Sequence, residues 1–312
     1  MSRIAFGTWQ LGGDWGGFDE DEAIRAIRYA RALGINFFDT AQAYGFGASE
    51  RLLGRALRDE LARHRDQLVI ATKGGLRMTG EGLVRDSSRS WLRQGVEESL
   101  AALGVDHIDL YQVHWPDPGT PFEETALALQ ELVDEGRIRH VGVSNFSAGE
   151  IAEFGHTRPV ETLQPPYHLF RREVEDEVLP YTRAHDIGVL VYGPLAHGLL
   201  TGAFNEHPTF PRGDWRGQSP VFSGDALRVN LEKVRQLERY AAERGHSVSQ
   251  LAVAWTLARP GVHVAIVGSR RAAHIEDSLG ALELRLTADD LAAIDQIMVD
   301  AVEVGGPSPE SV

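Results

Sequence analysis

Leu68-Val69-Ile70-Ala71-Thr72-Lys73 is an apolar, β-branched run that closes on an ammonium. It reads as a strand, and outward from it similar runs recur at Ile4 to Gly7, Asn36 to Asp39, Ile108 to His114, His140 to Ser144, Thr162 to Pro165, Gly188 to Tyr192 and Val264 to Val267. Helical patterns lie between them. Glu20 to Leu33 carries Ala23, Ile24, Ile27 and Ala30 at helical spacing, and Ser90 to Leu103 carries Leu92, Val96, Leu100 and Leu103. Gly34 and Gly104 stand where C-cap glycines belong. Eight strands alternating with helices predict parallel strands joined by right-handed crossovers, which close into a (β/α)8 barrel of the α/β class. A doubly wound open sheet is the competing architecture, but no G-x-G-x-x-G motif sits between a strand and a helix.

With 312 residues, 43% of them hydrophobic, the chain can furnish one large core. No linker, repeat or low-complexity block divides it, so residues 1–312 are expected to form a single domain. A net charge of -14 argues against nucleic acid or an acidic membrane surface as partner, because both are bound through lysine and arginine. The absence of cysteine excludes disulfides, thiolate nucleophiles and cysteine-ligated metals. The N-terminus has no signal-like apolar segment and no stretch approaches the length of a membrane span, so a cytoplasmic protein is expected, as a monomer or homo-oligomer. Two segments break the rhythm. Residues 193–225 form a long loop after the seventh strand, containing Trp215 and three phenylalanines, and residues 302–312 read as a flexible tail.

Of 31 basic residues only Lys73 and Lys233 are lysine. An ammonium suits proton chemistry or a Schiff base better than a guanidinium does, because its pKa moves readily on burial. In barrels of this kind the chemistry lies at the C-terminal ends of the strands. Asp39 ends the second strand, Tyr44 follows in the loop, Lys73 ends the third and His114 ends the fourth. Singly, each has a structural reading: Asp39 as a turn cap, Tyr44 as packed core, His114 as a satisfied core histidine. Four such groups at adjoining strand ends read instead as one site.

Five ordered motifs carry a resemblance. They are Asp39-Thr40-Ala41-Gln42-Ala43-Tyr44-Gly45, Ala71-Thr72-Lys73-Gly74, the run from Leu103 to His114, Gly142-Val143-Ser144-Asn145-Phe146, and Pro194-Leu195-Ala196-His197-Gly198-Leu199-Leu200-Thr201-Gly202. With the opening Gly7-Thr8-Trp9-Gln10-Leu11-Gly12-Gly13, the chain resembles the aldo-keto reductases, most closely the bacterial general-stress and inositol-related branch. The resemblance implies reduction of an aldehyde or ketone by hydride from NADP(H), with NAD(H) as the alternative cofactor. Hydride arriving at a carbonyl carbon leaves negative charge on oxygen, which a positioned acid neutralises. Tyr44 is the implied acid. A phenol's ordinary pKa of about 10 calls for a nearby positive charge, which Lys73 supplies while Asp39 holds the ammonium charged. His114 is expected to orient the carbonyl oxygen.

The same resemblance implies that Ser144, Asn145 and Gln164 hold the nicotinamide carboxamide and that Tyr192 stacks on its ring. Backbone from Pro194 through Leu195 and Gly198 to Leu200 would meet the pyrophosphate. Gly268, Ser269 and Arg270 would grip an adenosine 2′-phosphate, which favours NADPH through charge-assisted hydrogen bonds. The chain departs from the family at Gly193, where serine is common, and at His274, Asp277 and Ser278, which replace a glutamine and a glutamate-asparagine pair at the adenine end. The family's N-terminal hairpin has no counterpart before Gly7. Trp9 and Trp115 are expected to line the substrate site. Two other readings compete: a cofactor-binding sensor subunit with little turnover, as in channel β subunits of the family, and a Schiff-base aldolase built on Lys73. No histidine spacing suggests a metal site.

Overall fold

The computed structural model describes residues 1–13, 15–80 and 82–309. Three strands, β1 (Ile4–Gly7), β2 (Phe37–Asp39) and β3 (Val69–Gly74), are followed by a hairpin of β4 (Leu76–Thr79) and β5 (Gly82–Arg85). Then come β6 (Ile108–Val113), β7 (Ile138–Ser144), β8 (Thr162–Gln164), β9 (Gly188–Tyr192) and β10 (Val264–Gly268). Leaving out the hairpin, the strands close in the order β1-β2-β3-β6-β7-β8-β9-β10, all parallel, with β10 returning to pair with β1. That closure makes the chain a (β/α)8 barrel and not an open sheet. The antiparallel hairpin, which the sequence reading did not anticipate, stands on the C-terminal end of β3.

Among the described residues ten helices surround the barrel: α1 (Glu20–Ala32), α2 (Ala48–Arg63), α3 (Arg89–Leu103), α4 (Phe122–Asp134), α5 (Ala148–Gly155), α6 (Val178–Ala184), α7 (Gly224–Ala242), α8 (Val248–Ala258), α9 (Ala272–Leu279) and α10 (Ala288–Ile297). Their starts are locally encoded. Asp19 accepts the Glu22 backbone N–H at the head of α1, and reciprocal capping boxes open α5 (Ser147 with Glu150) and α8 (Ser247 with Gln250). Gly104 ends α3 at φ +70°, a conformation that glycine adopts without strain.

Strand periodicity turns this scaffold into a site. Along β3, Val69 and Ala71 join the small cluster that fills the barrel, with Ala5, Phe37, Leu110, Leu190, Val264 and Ile266, while Ile70 belongs to the larger core between barrel and helices. Thr72 points outward too, donating to Glu50 of α2 at 2.6 Å. Lys73 therefore falls on the inward face, one layer above the apolar plug.

The segment 193–225 is folded into three short 3-10 turns, Ala196–Thr201, Trp215–Gln218 and Pro220–Phe222. Phe204, Phe210 and Phe222 pack mutually at centroid separations of 5.8–5.9 Å, and Trp215 adds to them at 5.8 Å from Phe222. The segment expected as a tail lies against the barrel as far as residue 309. Val302 and Asn230 exchange two hydrogen bonds, Val304 is buried and donates its N–H to Phe170, and residues 306–309 reach the central cavity. Residues 310–312 lie outside the described residues. No helix among the described residues is long and apolar enough to cross a membrane.

Candidate active site

A cavity of about 880 Å³ opens at the C-terminal ends of the strands. At its floor Lys73 Nζ donates to Asp39 Oδ2 at 2.7 Å, to the Thr40 carbonyl at 2.9 Å and to the Tyr44 hydroxyl at 3.4 Å. Lys73 is 1% exposed, so its charge acts with almost no water to screen it. Burial pulls its pKa below the ordinary lysine value, and Asp39 opposes that pull. The free side of Asp39 is also held: Gln164 donates to Oδ1 at 2.8 Å and Gln112 at 3.4 Å. These residues come from the ends of β2, β3, β6 and β8 and the loop after β2, and parallel register brings them together.

His114 stands edge-on to Tyr44, with ring centroids 5.7 Å apart at 79°. Burial, reinforced by the Lys73 charge, holds its imidazole well below the usual pKa, so the ring is neutral near pH 7. Its Nδ1 is buried without a hydrogen-bond partner.

Beyond the tetrad, Asn145 sits at φ +62°, a left-handed conformation uncommon for a residue with a side chain. Its Nδ2 donates to the His114 carbonyl at 3.0 Å and to Ser144 Oγ at 3.1 Å, and its Oδ1 accepts the Tyr192 hydroxyl at 2.9 Å. Ser144 Oγ in turn donates to the Gln164 carbonyl at 2.8 Å. These residues form a rigid wall beside Tyr44 and His114. Tyr192, Pro194, Leu195 and Gly198 continue the lining, followed by Gly268, Arg270, His274, Asp277 and Ser278, with Trp9 and Trp115 near the tetrad.

Two of the expected contact residues lie off the cavity lining. Leu200 is wholly buried in the core, and its backbone N–H is taken by the Leu195 carbonyl, so the turn's own closure withdraws it from the cavity. Ser269 is also buried, donating to the Arg271 carbonyl at 2.7 Å and accepting the Arg271 N–H at 3.0 Å, so its hydroxyl braces the turn into α9. Asp277 lines the cavity but is held by Ser247 and Gln250 of α8 at 3.1–3.2 Å.

Other lining residues escaped the sequence reading. Arg216 reaches from the long segment, gripping Asp214 at 2.6 and 3.0 Å and donating to the His197 carbonyl at 2.9 Å, with its guanidinium 4.5 Å from the Trp15 ring centroid. Arg271 lies beside Arg270 and is 3.7 Å from Glu22. His197, at φ +56°, packs among Trp9, Trp15 and Trp215, and burial holds its pKa down at about 3. A lone histidine within a Gly/Leu motif gives no such signal. The hairpin residues Leu76, Met78 and Leu83 line the opposite end.

The residues present fit a nicotinamide dinucleotide. A carboxamide-sized polar wall stands beside Tyr44, two arginines lie at the far end, and between them runs the turn containing Gly198, where an added Cβ would come within 3.3 Å of Arg216 and Phe204.

Comparison with known proteins agrees with this arrangement. The aldo/keto reductase family model matches residues 3–299. Aldo-keto reductase YhdN of Bacillus subtilis is 44% identical over 303 residues, covering 96% of this chain and 91% of the relative. The NADH-specific methylglyoxal reductase of Escherichia coli is 32% identical, covering 97% and 96%. Among solved structures, the glycerol dehydrogenase AKR11B4 from Gluconobacter oxydans superposes with a TM-score of 0.88 at 41% identity, covering 99% of this chain and 94% of that one.

Proposed function

The chain belongs to the aldo/keto reductase family and is an NAD(P)H-dependent oxidoreductase acting on carbonyl compounds; from that premise we propose that it reduces an aldehyde or ketone with Tyr44 as general acid, preferring NADPH. The observation that carries this reading is the buried contact of Lys73 Nζ with both Asp39, at 2.7 Å, and the Tyr44 hydroxyl, at 3.4 Å.

When bound, the reduced nicotinamide supplies a hydride to the carbonyl carbon. The chain's own residues manage the oxygen. Tyr44 gives its proton to that oxygen, and the Lys73 ammonium stabilises the phenolate left behind. Asp39 keeps the ammonium protonated and aimed, and Gln164 and Gln112 fix the carboxylate in turn. Neutral His114 is a poor proton source, so its role is to donate one ring N–H hydrogen bond that orients the oxygen against Tyr44. In alcohol oxidation the tyrosine accepts the proton. The wall of Asn145, Ser144 and Tyr192 would hold the nicotinamide, and Arg270 with Arg271 would take a 2′-phosphate, which supports NADPH over NADH.

NADPH and NADH oxidation over a panel of aldehydes and ketones tests the reading, with Tyr44→Phe in parallel. The variant should lose about 10²–10⁴ in kcat while binding NADPH as the native protein does. Equal turnover by both proteins would remove Tyr44 from its role. NADPH binding with no carbonyl reduced by the native protein would favour the sensor reading.

A further inference from the structure

Strand β3 ends between two buried carboxylates. On its inner face Lys73 meets Asp39, and on its outer face Thr72, the residue before, donates to Glu50 Oε1 at 2.6 Å. Glu50 stands in the first turn of α2, the helix that follows the Tyr44 loop, and it is 0% exposed. A carboxylate buried so deeply is costly unless a cation or several donors compensate it. The groups that face it are the Thr72 hydroxyl of β3, the Ser99 hydroxyl and Glu98 of α3, the Tyr111 phenol of β6 and Arg51, its neighbour on α2. Among the described residues no ion pair reaches it, since Arg51 is exposed and lies back toward Gly47. Water screens Arg51, whereas Lys73, 1% exposed on the other side of the strand, is separated from Glu50 by protein alone. Burial lowers the Lys73 pKa, and Glu50 with Asp39 opposes that pull. The hydrogen bond to Thr72 does not by itself account for a carboxylate, because a glutamine would accept the same hydroxyl without burying a charge.

We propose that Glu50 is a positioning residue for proton transfer: from the outer wall of the barrel its carboxylate holds the Lys73 ammonium charged, and with Asp39 it sets the pH at which the Lys73–Tyr44 pair loses a proton. The inference rests on the reductase reading. Glu50 does not line the cavity, so it acts through Lys73 and touches neither substrate nor cofactor. Carbonyl reduction needs Tyr44 protonated and Lys73 charged, and it fails once the pair has lost a proton. A negative charge nearby makes that loss harder. Removing it moves the failure to lower pH, whichever member of the pair gives up the proton. The other titratable groups around the pair stay outside that range, because burial holds the His114 imidazole low and the Tyr111 and Tyr192 phenols high.

The test is kcat/KM with NADPH for the panel aldehyde that the native protein reduces fastest, from about pH 6 to 10, in the native protein, Glu50→Gln and Glu50→Asp. Melting curves check the fold, and Glu50→Leu, which exchanges the buried charge for an apolar side chain of similar size, carries the same test where Glu50→Gln does not fold. Glu50→Gln should bring the alkaline fall down by about half to one pH unit, a loss of about threefold to tenfold against the native protein above the fall, with little change below it. Glu50→Asp keeps the charge, so its fall should stay with the native one even where its melting temperature drops. A purely structural role would lower the rate at every pH alike. Profiles of native protein and Glu50→Gln that coincide in shape, a fall that moves upward, or Glu50→Asp shifted as far as Glu50→Gln would each overturn the inference while leaving the reductase reading intact. NADPH bound with no aldehyde reduced by the native protein would defeat that reading, and this inference with it.

Discussion

The barrel buries a carboxylate near each end, and the two are surrounded differently. Asp109, near the start of β6, accepts the Ile70 N–H at 2.9 Å and pairs with Arg65 at 2.7 Å and Arg139 at 3.1 Å, and it does not reach the cavity. Asp39, at the end of β2, pairs with an ammonium that also contacts the Tyr44 hydroxyl, and both Asp39 and Tyr44 line the cavity. A buried charge paired wholly away from the cavity contributes to holding the fold. One whose ammonium also contacts a cavity-lining hydroxyl is in reach of a ligand.

The largest expected break in that contrast is Lys73→Met. It removes the charge behind Tyr44 and strands a carboxylate that is 3% exposed, so kcat/KM should fall about 10²–10⁴-fold and urea stability by about 3–5 kcal/mol. At the other end Asp109→Asn should cost about 2–3 kcal/mol in urea and leave kcat within about twofold, because it weakens pairs that never meet the cavity. A kinetic loss there approaching that of Lys73→Met would show the division to be false.

A smaller effect sharpens the comparison through pH. His114, His168 and His197 are all buried with pKa values pushed down by burial, His197 to about 3. Unfolded histidines take up protons below about pH 6.5 and these three do not, so their contribution is complete above 6.5 and is lost as pH falls toward their folded values. Each should cost up to about 1.4 kcal/mol per pH unit in that window. Glu50, raised by burial, works in the opposite direction above pH 4.5, one group against three. Urea titrations at pH 7, 6 and 5 should show the decline, and His168→Asn should lessen it. Stability level between pH 7 and 5 would rule out this account.

The eight barrel strands were legible because each is a short apolar run bounded by turn residues, and their ends fall within two residues of those expected. The tetrad was legible for a related reason: Asp39, Lys73 and His114 are polar residues closing apolar runs, where an inward position must have a purpose. The β4–β5 hairpin was not legible, although Gly80 and Gly82 hinted at its turn, because Leu76-Arg77-Met78-Thr79 alternates too briefly to separate from a loop. That Leu200 and Ser269 lie off the cavity lining was not legible, since a motif gives neighbours in sequence and not which backbone groups a turn has already used. His168 and His197 were opaque because burial alone made them notable.

Closure of the barrel by β10 against β1 joins residues about 260 apart in the chain. During synthesis from the N-terminus, Asp39, Tyr44, Lys73 and His114 are all made before Val264 exists. The proton-handling residues are therefore complete about 150 residues before the last strand can pair with β1 and close the barrel. Until then the edge that β1 offers is four residues long, Ile-Ala-Phe-Gly, and a short edge strand is a poor template for pairing with another chain.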